Sequence, residues 1–213
     1  MATMDQLLTA LQAAPIIPIS KLSATSKGAG LFHSLWTVGG FPAAGSAPGS
    51  ANGVIPTKST VGALNFVDAG ASENTFLAQL SLVGATAGTF FLYDRLWHNS
   101  TLNGTLTTAQ TFTQPALTRH TDGVGVEIWF EWYTATGSTA VTATVSYTNS
   151  DGVSGRSGTC SIAASPVAGQ MMPVALQAGD KGVLSVQSVT LSATTGTAGN
   201  FGVTLLKKKA LAA

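Results

Sequence analysis

GVEIWFEWYTATGSTAVTATVSYTNSDGVSG, residues 125–155, contains the clearest alternation of apolar and polar side chains in this sequence. Successive side chains of a β-strand point to opposite faces of its sheet. The first run therefore places four apolar residues on one face, which we expect to be core: Val126, Ile128, Phe130 and Trp132. The other face, which we expect to be exposed or covered by a partner, carries Glu127, Trp129, Glu131 and Tyr133.

A second run with the same period follows after a short loop around Gly137. In AVTATVSYT, residues 140–148, apolar side chains share one face and hydroxyl side chains share the other. We predict that the two runs pair as a β-hairpin with one apolar and one polar face. Asn149–Gly152 and Gly179–Gly182 have the composition of turns that lead into further strands.

Much of the remaining sequence also reads as short strands joined by turns. Two apolar runs between Leu77 and His98 flank a Gly84–Gly88 turn, so we expect two strands there. A helix over Ser72–Val83 also fits the spacing of its apolar residues. Two β-branched runs in residues 182–206 flank a Thr/Gly loop. The chain is therefore predicted to be mainly β, with a β-sandwich or jelly-roll-like domain.

The beginning of the chain has the pattern of a short amphipathic helix. Its apolar residues recur at helical spacing: Met4, Leu7, Leu8 and Leu11. Thr3 and Gln6 have the spacing of a capping box, and Pro15 ends the helix. A helix of about three turns is marginal alone, so its apolar stripe needs a partner.

A Gly/Ala/Pro/Ser-rich stretch, GGFPAAGSAPGSANG, follows at residues 39–53 and has no periodicity. We interpret it as an extended arm or a surface loop. The predicted organisation is a helix and arm over residues 1–54, followed by a β-sandwich domain over residues 55–213. The domain ends in a short basic tail, Lys207–Lys209, which is either solvated or in contact with an acidic partner.

The composition favours a protein that is packed into an assembly. Charged residues make up 9% of the chain, against about 25% in ordinary soluble domains. The net charge of +1 gives no argument for binding nucleic acid or anionic lipid, and no apolar run is long enough for a membrane span. Cys160 has no second cysteine to pair with, and we expect no signal peptide.

The titratable residues form no recognisable catalytic or metal-binding motif. Glu127 and Glu131 share a face, but four residues of strand separate their Cα atoms by about 13 Å. The paired carboxylates of glycosidases lie about 5–9.5 Å apart. The charged residues around the histidines favour structural ion pairs: Asp94 with Arg95, or Arg119 with Asp122. We therefore expect a non-enzymatic protein without a metal or cofactor.

The polar face of residues 126–133 has two possible uses. Trp129 and Tyr133 have the side chains that stack on sugar rings, and they are equally the residue types that anchor protein interfaces. The scarcity of charge favours an interface. The candidate interface residues are Leu7, Leu8, Leu11, Glu127, Trp129, Glu131 and Tyr133.

Three segments resemble structural proteins of tailed bacteriophages, in particular proteins that decorate or cement the capsid. They are LYDRLWHNSTLNG (92–104), LTRHTDGVGVEIWFEWYTATGSTAVTATVSYTNSDGVSGR (117–156) and GVLSVQSVTLSATTGTAG (182–199). The resemblance is one of local sequence and composition, over roughly residues 60–206. It implies a virion protein with a β-sandwich core that bridges major capsid protein subunits on the capsid surface, often as a homotrimer, after synthesis in the host cytoplasm.

No functional residue is carried over from that family, because cement proteins act through whole surfaces. Two other functions stay open at this point. One is a subunit of a phage tail tube or head–tail connector, and the other is a carbohydrate- or receptor-binding β-sandwich module.

Overall fold

The computed structural model describes residues 3–13, 16–22, 28–66, 77–81, 83 and 88–212. In these residues one helix, α1 (Met4–Ala13), precedes eleven strands. The strands are β1 (Ser20–Lys21), β2 (Phe32–His33), β3 (Gly40–Phe41), β4 (Phe90–His98), β5 (Gln110–Thr111), β6 (Glu127–Thr134), β7 (Val141–Asn149), β8 (Arg156–Ile162), β9 (Gln170–Pro173), β10 (Val183–Leu191) and β11 (Asn200–Ala212). At the start of α1, Thr3 and Gln6 exchange the two hydrogen bonds of a capping box.

Two antiparallel sheets form the body of the protein. One has the strand order β5-β10-β7-β8, and the other has the order β2-β9-β6-β11-β4. Side chains from both sheets meet in one apolar cluster, for example Val145 and Val186 from the first and Phe130 and Val203 from the second. The predicted mainly β, sandwich-like fold is confirmed.

The predicted core face of β6 is also confirmed, but the predicted hairpin is wrong. Val126, Ile128, Phe130 and Trp132 are all buried. However, β6 pairs with β9 and β11, whereas β7 pairs with β8 and β10 in the opposite sheet. The same alternation of apolar and polar residues is expected for two strands that face each other across a core and for two strands that pair as a hairpin.

The loop between β6 and β7, residues 135–140, therefore crosses from one sheet to the other. Within it, the Gly137 backbone N–H donates to Thr195 Oγ1 at 3.1 Å. A Cβ atom at this position would overlap the Thr195 backbone. Gly137 is required here because two backbones approach each other closely. From the sequence alone, the same glycine is interpreted as part of a simple hairpin turn.

The turn predicted at residues 149–152 is confirmed, the turn predicted at residues 179–182 lies two positions earlier, at residues 177–180, and the two turns are tied to each other. The Gly152 N–H donates to the Asn149 carbonyl at 3.0 Å, which closes the turn between β7 and β8. The Asp180 carboxylate, in the second turn, accepts hydrogen bonds from Asn149 Nδ2 at 2.7 Å and from Arg156 Nη2 at 2.8 Å. This carboxylate therefore joins one end of the β7–β8 hairpin to the beginning of β10.

The two strands predicted between Leu77 and His98 are only half correct. The second run forms β4, but residues 77–81 and 83 belong to no strand or helix. Residues 72–76 and 84–87 of the alternative helix and the turn lie outside the described residues. The neighbour of β4 is β11, from the far end of the chain, so β4 does not depend on the first run for its pairing.

The segment from residue 32 to residue 54 lies against the five-stranded sheet. Its strand β2 pairs with β9, and Val54 forms a bridge with His98. Trp97 Nε1 donates to the Asn52 carbonyl at 3.0 Å. The stretch interpreted from sequence as an arm, residues 39–53, therefore contacts the sandwich, while the division of the chain at residue 54 stays a prediction.

Candidate functional site

The predicted exposed face of β6 is largely covered by other parts of the same chain. Trp129 and Glu131 are each 1% exposed, and Tyr133 is half-buried. Only Glu127 keeps a substantially exposed side chain, at 39%. The expectation of an exposed or partner-covered face is wrong for Trp129 and Glu131, because β6 is the central strand of five and residues from β2, β4 and β11 pack over it.

Trp129 is the centre of an aromatic cluster on the outer side of the sheet. The rings of Phe32 and Phe91 lie 5.1 and 5.8 Å from the Trp129 ring, centroid to centroid. Lys208 Nζ lies 5.0 Å from the same ring and pairs with the Glu127 carboxylate at 3.1 Å. The Trp129 ring therefore has no open face on which a sugar could stack.

Glu131 is paired with a residue that sequence reasoning did not connect to it. Arg95 on β4 donates two hydrogen bonds to the Glu131 carboxylate, Nη1 to Oε2 at 2.6 Å and Nη2 to Oε1 at 3.0 Å. Thr204 Oγ1 on β11 donates to Oε2 at 2.8 Å. A buried two-pronged pair of this kind is the strongest charge-assisted contact available to these side chains.

Mutual pairing keeps both groups charged inside the protein. Burial is the largest single influence and raises the pKa of Glu131, but the Arg95 charge and the hydrogen bonds from Arg95, Ser34 and Thr204 together outweigh it and lower that pKa to about 2. Burial is also the largest single influence on Arg95 and lowers its pKa, but the charge and hydrogen bonds of Glu131, together with Tyr93 and Tyr133, outweigh it and raise the pKa above its ordinary value. The pair is therefore a carboxylate and a guanidinium throughout the physiological pH range.

The segment before residue 54 forms a cover over this ion pair. The Trp36 ring lies over the Arg95 guanidinium, with Cζ 4.5 Å from the ring centroid. Ser34 Oγ accepts from Arg95 Nη2 at 3.2 Å and from the Trp36 backbone N–H at 3.1 Å. The Trp36 indole N–H donates to the Ser46 carbonyl at 3.0 Å. Through these contacts the segment excludes water from the charges beneath it.

His98 completes the buried network in its neutral form. Its Nδ1 lies 3.0 Å from Arg95 Nη1 and 3.1 Å from the Tyr133 hydroxyl. Because a guanidinium can only donate, Nδ1 must accept and is therefore unprotonated. Burial and the Arg95 charge lower the pKa of His98 to about 3. Burial and the Glu131 charge raise the pKa of Tyr133 well above its ordinary value.

The geometry of this network suits a structural role. A general base or nucleophile must come within hydrogen-bond reach of a substrate. Glu131 and His98 are each 1% exposed and are enclosed by Trp36, Tyr93 and Thr204. The arrangement joins β4, β6, β11 and the covering segment and thereby fixes their relative positions.

The surface ion pairs differ from those predicted. Arg119 pairs with Asp94, with Nη2 to Oδ1 at 3.0 Å, instead of with Asp122. Arg95, the predicted partner of Asp94, points to Glu131. Sequence neighbours on a strand point to opposite faces, so a pairing between adjacent residues such as Asp94 and Arg95 was a poor expectation.

The basic run at residues 207–209 lies within strand β11, so the predicted tail is wrong. Each lysine has a partner in the chain. Lys207 Nζ donates to the Val124 carbonyl at 2.8 Å, Lys208 pairs with Glu127, and Lys209 Nζ lies 2.7 Å from His120 Nε2. These three lysines are therefore part of a strand of the sheet and do not form a separate basic segment.

The N-terminal candidate surface is exposed where the structure describes it. Leu8 is half exposed, and beyond the helix Ile16 is 93% and Leu22 is 77% exposed. The side chains of the other two candidates, Leu7 and Leu11, lie outside the described residues. Most of the exposed large apolar side chains among the described residues precede β4.

Two shallow surface hollows accompany these features. One of about 230 Å³ lies beside Phe41 and Val61, and one of about 360 Å³ lies between Leu31, Cys160 and Met172. Among the described residues no three His, Cys, Asp or Glu side chains are grouped as a metal site would require. Helix α1 is too short and too polar to cross a membrane.

No protein-family model, curated protein or solved structure matches this chain. The residues that organise the network, Arg95, Trp36 and Ser34, were missed by sequence reasoning. One signal was available: Asp94 and Arg95 are the charged residues of a strand that is otherwise rich in apolar and aromatic residues, and a charge in such a strand is buried only when it is paired. Its partner, 36 positions further along the chain, could not be identified from spacing.

Proposed function

We propose that this chain is a non-enzymatic structural protein of a bacteriophage virion, which decorates the capsid and cements it by bridging major capsid protein subunits. The observation that carries the proposal is the exposed apolar surface of the N-terminal segment, residues 3–22. The two sheets of the sandwich share one apolar core, and this segment presents apolar side chains that the sandwich does not cover. A partner outside the chain is the natural recipient of such a surface.

The composition supports the same proposal. A protein that is free in solution relies on surface charge to resist association, and here only 9% of residues are charged. A cement protein adds contacts between subunits that otherwise touch weakly, and several modest contacts on one shell multiply each other. A homotrimer that presents three N-terminal segments fits this mode of binding.

A truncation that tests the proposal has to leave the buried ion pair and its cover intact. Removing residues 1–54 would strip Trp36 and Ser34 from the buried ion pair and would damage the fold. Removing residues 1–19 leaves β1 and everything after it in place. The point variant Ile16→Ser/Leu22→Ser removes two of the most exposed apolar side chains without shortening the chain.

The measurement is co-sedimentation of the purified chain with expanded empty shells of the phage that encodes it. Burying an apolar side chain of this size is worth about 1.5–3 kcal/mol, so we expect the double variant to bind at least about tenfold more weakly. The matched control, Val153→Ser/Val167→Ser, removes two half-exposed valines from sandwich loops and is expected to bind as the unaltered chain does. Equal binding by both double variants would contradict the proposal.

A further inference from the structure

The outer edge of β4 is an unusual feature of the five-stranded sheet. β4 is the last strand of the sheet and pairs with β11 on one side only. On its other side, the Val54 bridge at His98 and the Arg119 side chain on the Arg95 carbonyl, at 2.9 Å, are the contacts that described residues make with its backbone. No described residue pairs with the outer edge of β4 at residues 90–93.

The two edges of the β4–β11 ribbon differ in their protection. Beyond Leu206, β11 no longer pairs with β6, and this free edge carries Lys207, Lys208 and Lys209. Lysines on an edge strand prevent another strand from pairing with it. The edge of β4 reads Phe-Phe-Leu-Tyr at residues 90–93 and has no charge. An apolar, uncharged edge of this kind is a site for strand addition.

A segment with strand character is available directly before β4. Residues 77–83, LAQLSLV, were predicted to be a strand, and residues 77–81 and 83 have no pairing partner among the described residues. Val83 is 99% exposed and Leu77 is half exposed. Within the described part of the chain, the outer edge of β4 at residues 90–93 and the run at residues 77–81 are both unpaired, and they do not pair with each other.

We propose that residues 77–81 of one copy add as a strand to the outer edge of β4 in a second copy. The pairing satisfies backbone groups on the edge and covers apolar side chains of the donated run. Head-to-tail donation from each copy to the next closes a ring where the rotation between copies is a whole fraction of a turn, and a rotation of one third of a turn gives the proposed homotrimer. This contact lies between copies of the chain, so it is separate from the proposed binding to a shell and its test needs no shell.

The test is amide hydrogen exchange at Phe91 and Tyr93, measured together with mass by light scattering from micromolar to near-millimolar concentration. The Arg95 carbonyl faces the open edge, as its bond to Arg119 shows, and alternation along the strand places the N–H groups of Phe91 and Tyr93 on the same edge. We expect exchange at both amides to slow by at least about tenfold as the oligomer forms.

The variant Ala78→Pro/Gln79→Pro is designed to remove the donated strand. Successive N–H groups of a strand point to opposite sides, so one of two adjacent prolines always removes a ladder hydrogen bond. Both positions are exposed in the isolated chain, so the fold should be unaffected. Ala78→Ser/Gln79→Ser, which keeps both N–H groups, is the matched control. We expect the proline variant to be monomeric with fast exchange, and the serine variant to behave as the unaltered chain.

Three results would overturn the proposal. Slow exchange of Phe91 and Tyr93 in a monomer would show that the run pairs within its own chain. Fast exchange in an oligomer would place the contact on another surface. A chain that stays monomeric over the whole concentration range would show that the edge takes no second copy. A failure here leaves shell binding through residues 3–22 standing, because that binding is measured separately.

Discussion

Replacing Glu131 by Gln removes the charge that compensates Arg95 and keeps the shape of the side chain. Arg95 is 6% exposed and remains protonated, because its pKa lies above the ordinary value. Breaking a buried ion pair by removing one partner costs about 3–5 kcal/mol. We therefore expect Glu131→Gln to lower the free energy of unfolding by about that amount, which corresponds to a fall in Tm of roughly 6–20 °C for a chain of this size.

Glu127 provides a matched control on the same face of the same strand. Its carboxylate pairs with Lys208 across 3.1 Å, but both side chains are about 40% exposed. Exposed ion pairs contribute about 0–1 kcal/mol, so Glu127→Gln should cost less than about 1 kcal/mol. Urea unfolding followed by tryptophan fluorescence measures both variants. Equal losses of stability, or a loss below about 1 kcal/mol for Glu131→Gln, would refute the reasoning.

A double variant separates the charge from the rest of the site. Arg95→Met alone leaves the Glu131 carboxylate buried without its partner, and Glu131→Leu alone leaves the guanidinium without its own. The combination Arg95→Met/Glu131→Leu leaves neither charge, and apolar pairs of similar volume often replace buried ion pairs without loss. We expect the double variant to be more stable than either single variant, and strict additivity would contradict this.

Two further predictions concern His98 and Trp36. The pKa of His98 is lowered from 6.5 to about 3, so below pH 6.5 the unfolded chain binds a proton that the native chain does not. The free energy of unfolding should therefore fall from pH 6.5 towards pH 3, by up to about 1.4 kcal/mol per pH unit for one proton. His98→Gln should flatten this dependence between pH 6.5 and 4.5. Below that range the protonation of Glu131 also begins to change the stability. Trp36→Ala removes a buried ring that covers Arg95 and should cost about 3–5 kcal/mol in urea unfolding.

Each of these predictions has a control in the chain. His120 is more exposed than His98, and its pKa is lowered by burial and by the neighbouring Lys209. His120→Gln should therefore change the pH dependence less than His98→Gln, and the reverse order would contradict the account. Phe41 lies near Trp36 in the chain but is half exposed. A cost for Phe41→Ala as large as that for Trp36→Ala would show that the loss does not depend on the contact between the Trp36 ring and Arg95.

The core face of β6 followed from the sequence because period-two alternation is a local property. Val126, Ile128, Phe130 and Trp132 had to share a face in any strand, and that face had to be the apolar one. The turn at residues 149–152 followed for the same reason, since Asn, Asp and Gly favour turns through their own backbones. Local chemistry therefore predicted the strand, its core face and the turn correctly.

The partners of each strand did not follow from local chemistry. β6 and β7 are consecutive in the chain and yet lie in opposite sheets, because the short loop through Gly137 crosses the sandwich instead of reversing within one sheet. A reversal within one sheet and a crossing between two sheets need the same alternation of apolar and polar residues. The choice between them depends on which distant strands, here β9 and β11, pair with β6.

The opposite face of β6 was misjudged for a related reason. Glu131 and Trp129 read as surface residues because they alternate with a core face. They are buried because Arg95 and Phe32, 36 and 97 positions away, supply a charge and a ring from β4 and β2. A buried carboxylate can be recognised from sequence only if its partner is known, and that partner is determined by the topology.

On the proposed function this chain is encoded by a phage, and the most direct test of that proposal is electron cryomicroscopy of complete virions of that phage. We expect density for the two-sheet sandwich on the outer surface of the shell, with residues 3–22 in contact with the major capsid protein. A location in the tail or at the connector, or virions that lack the protein altogether, would contradict the proposal that it cements the capsid.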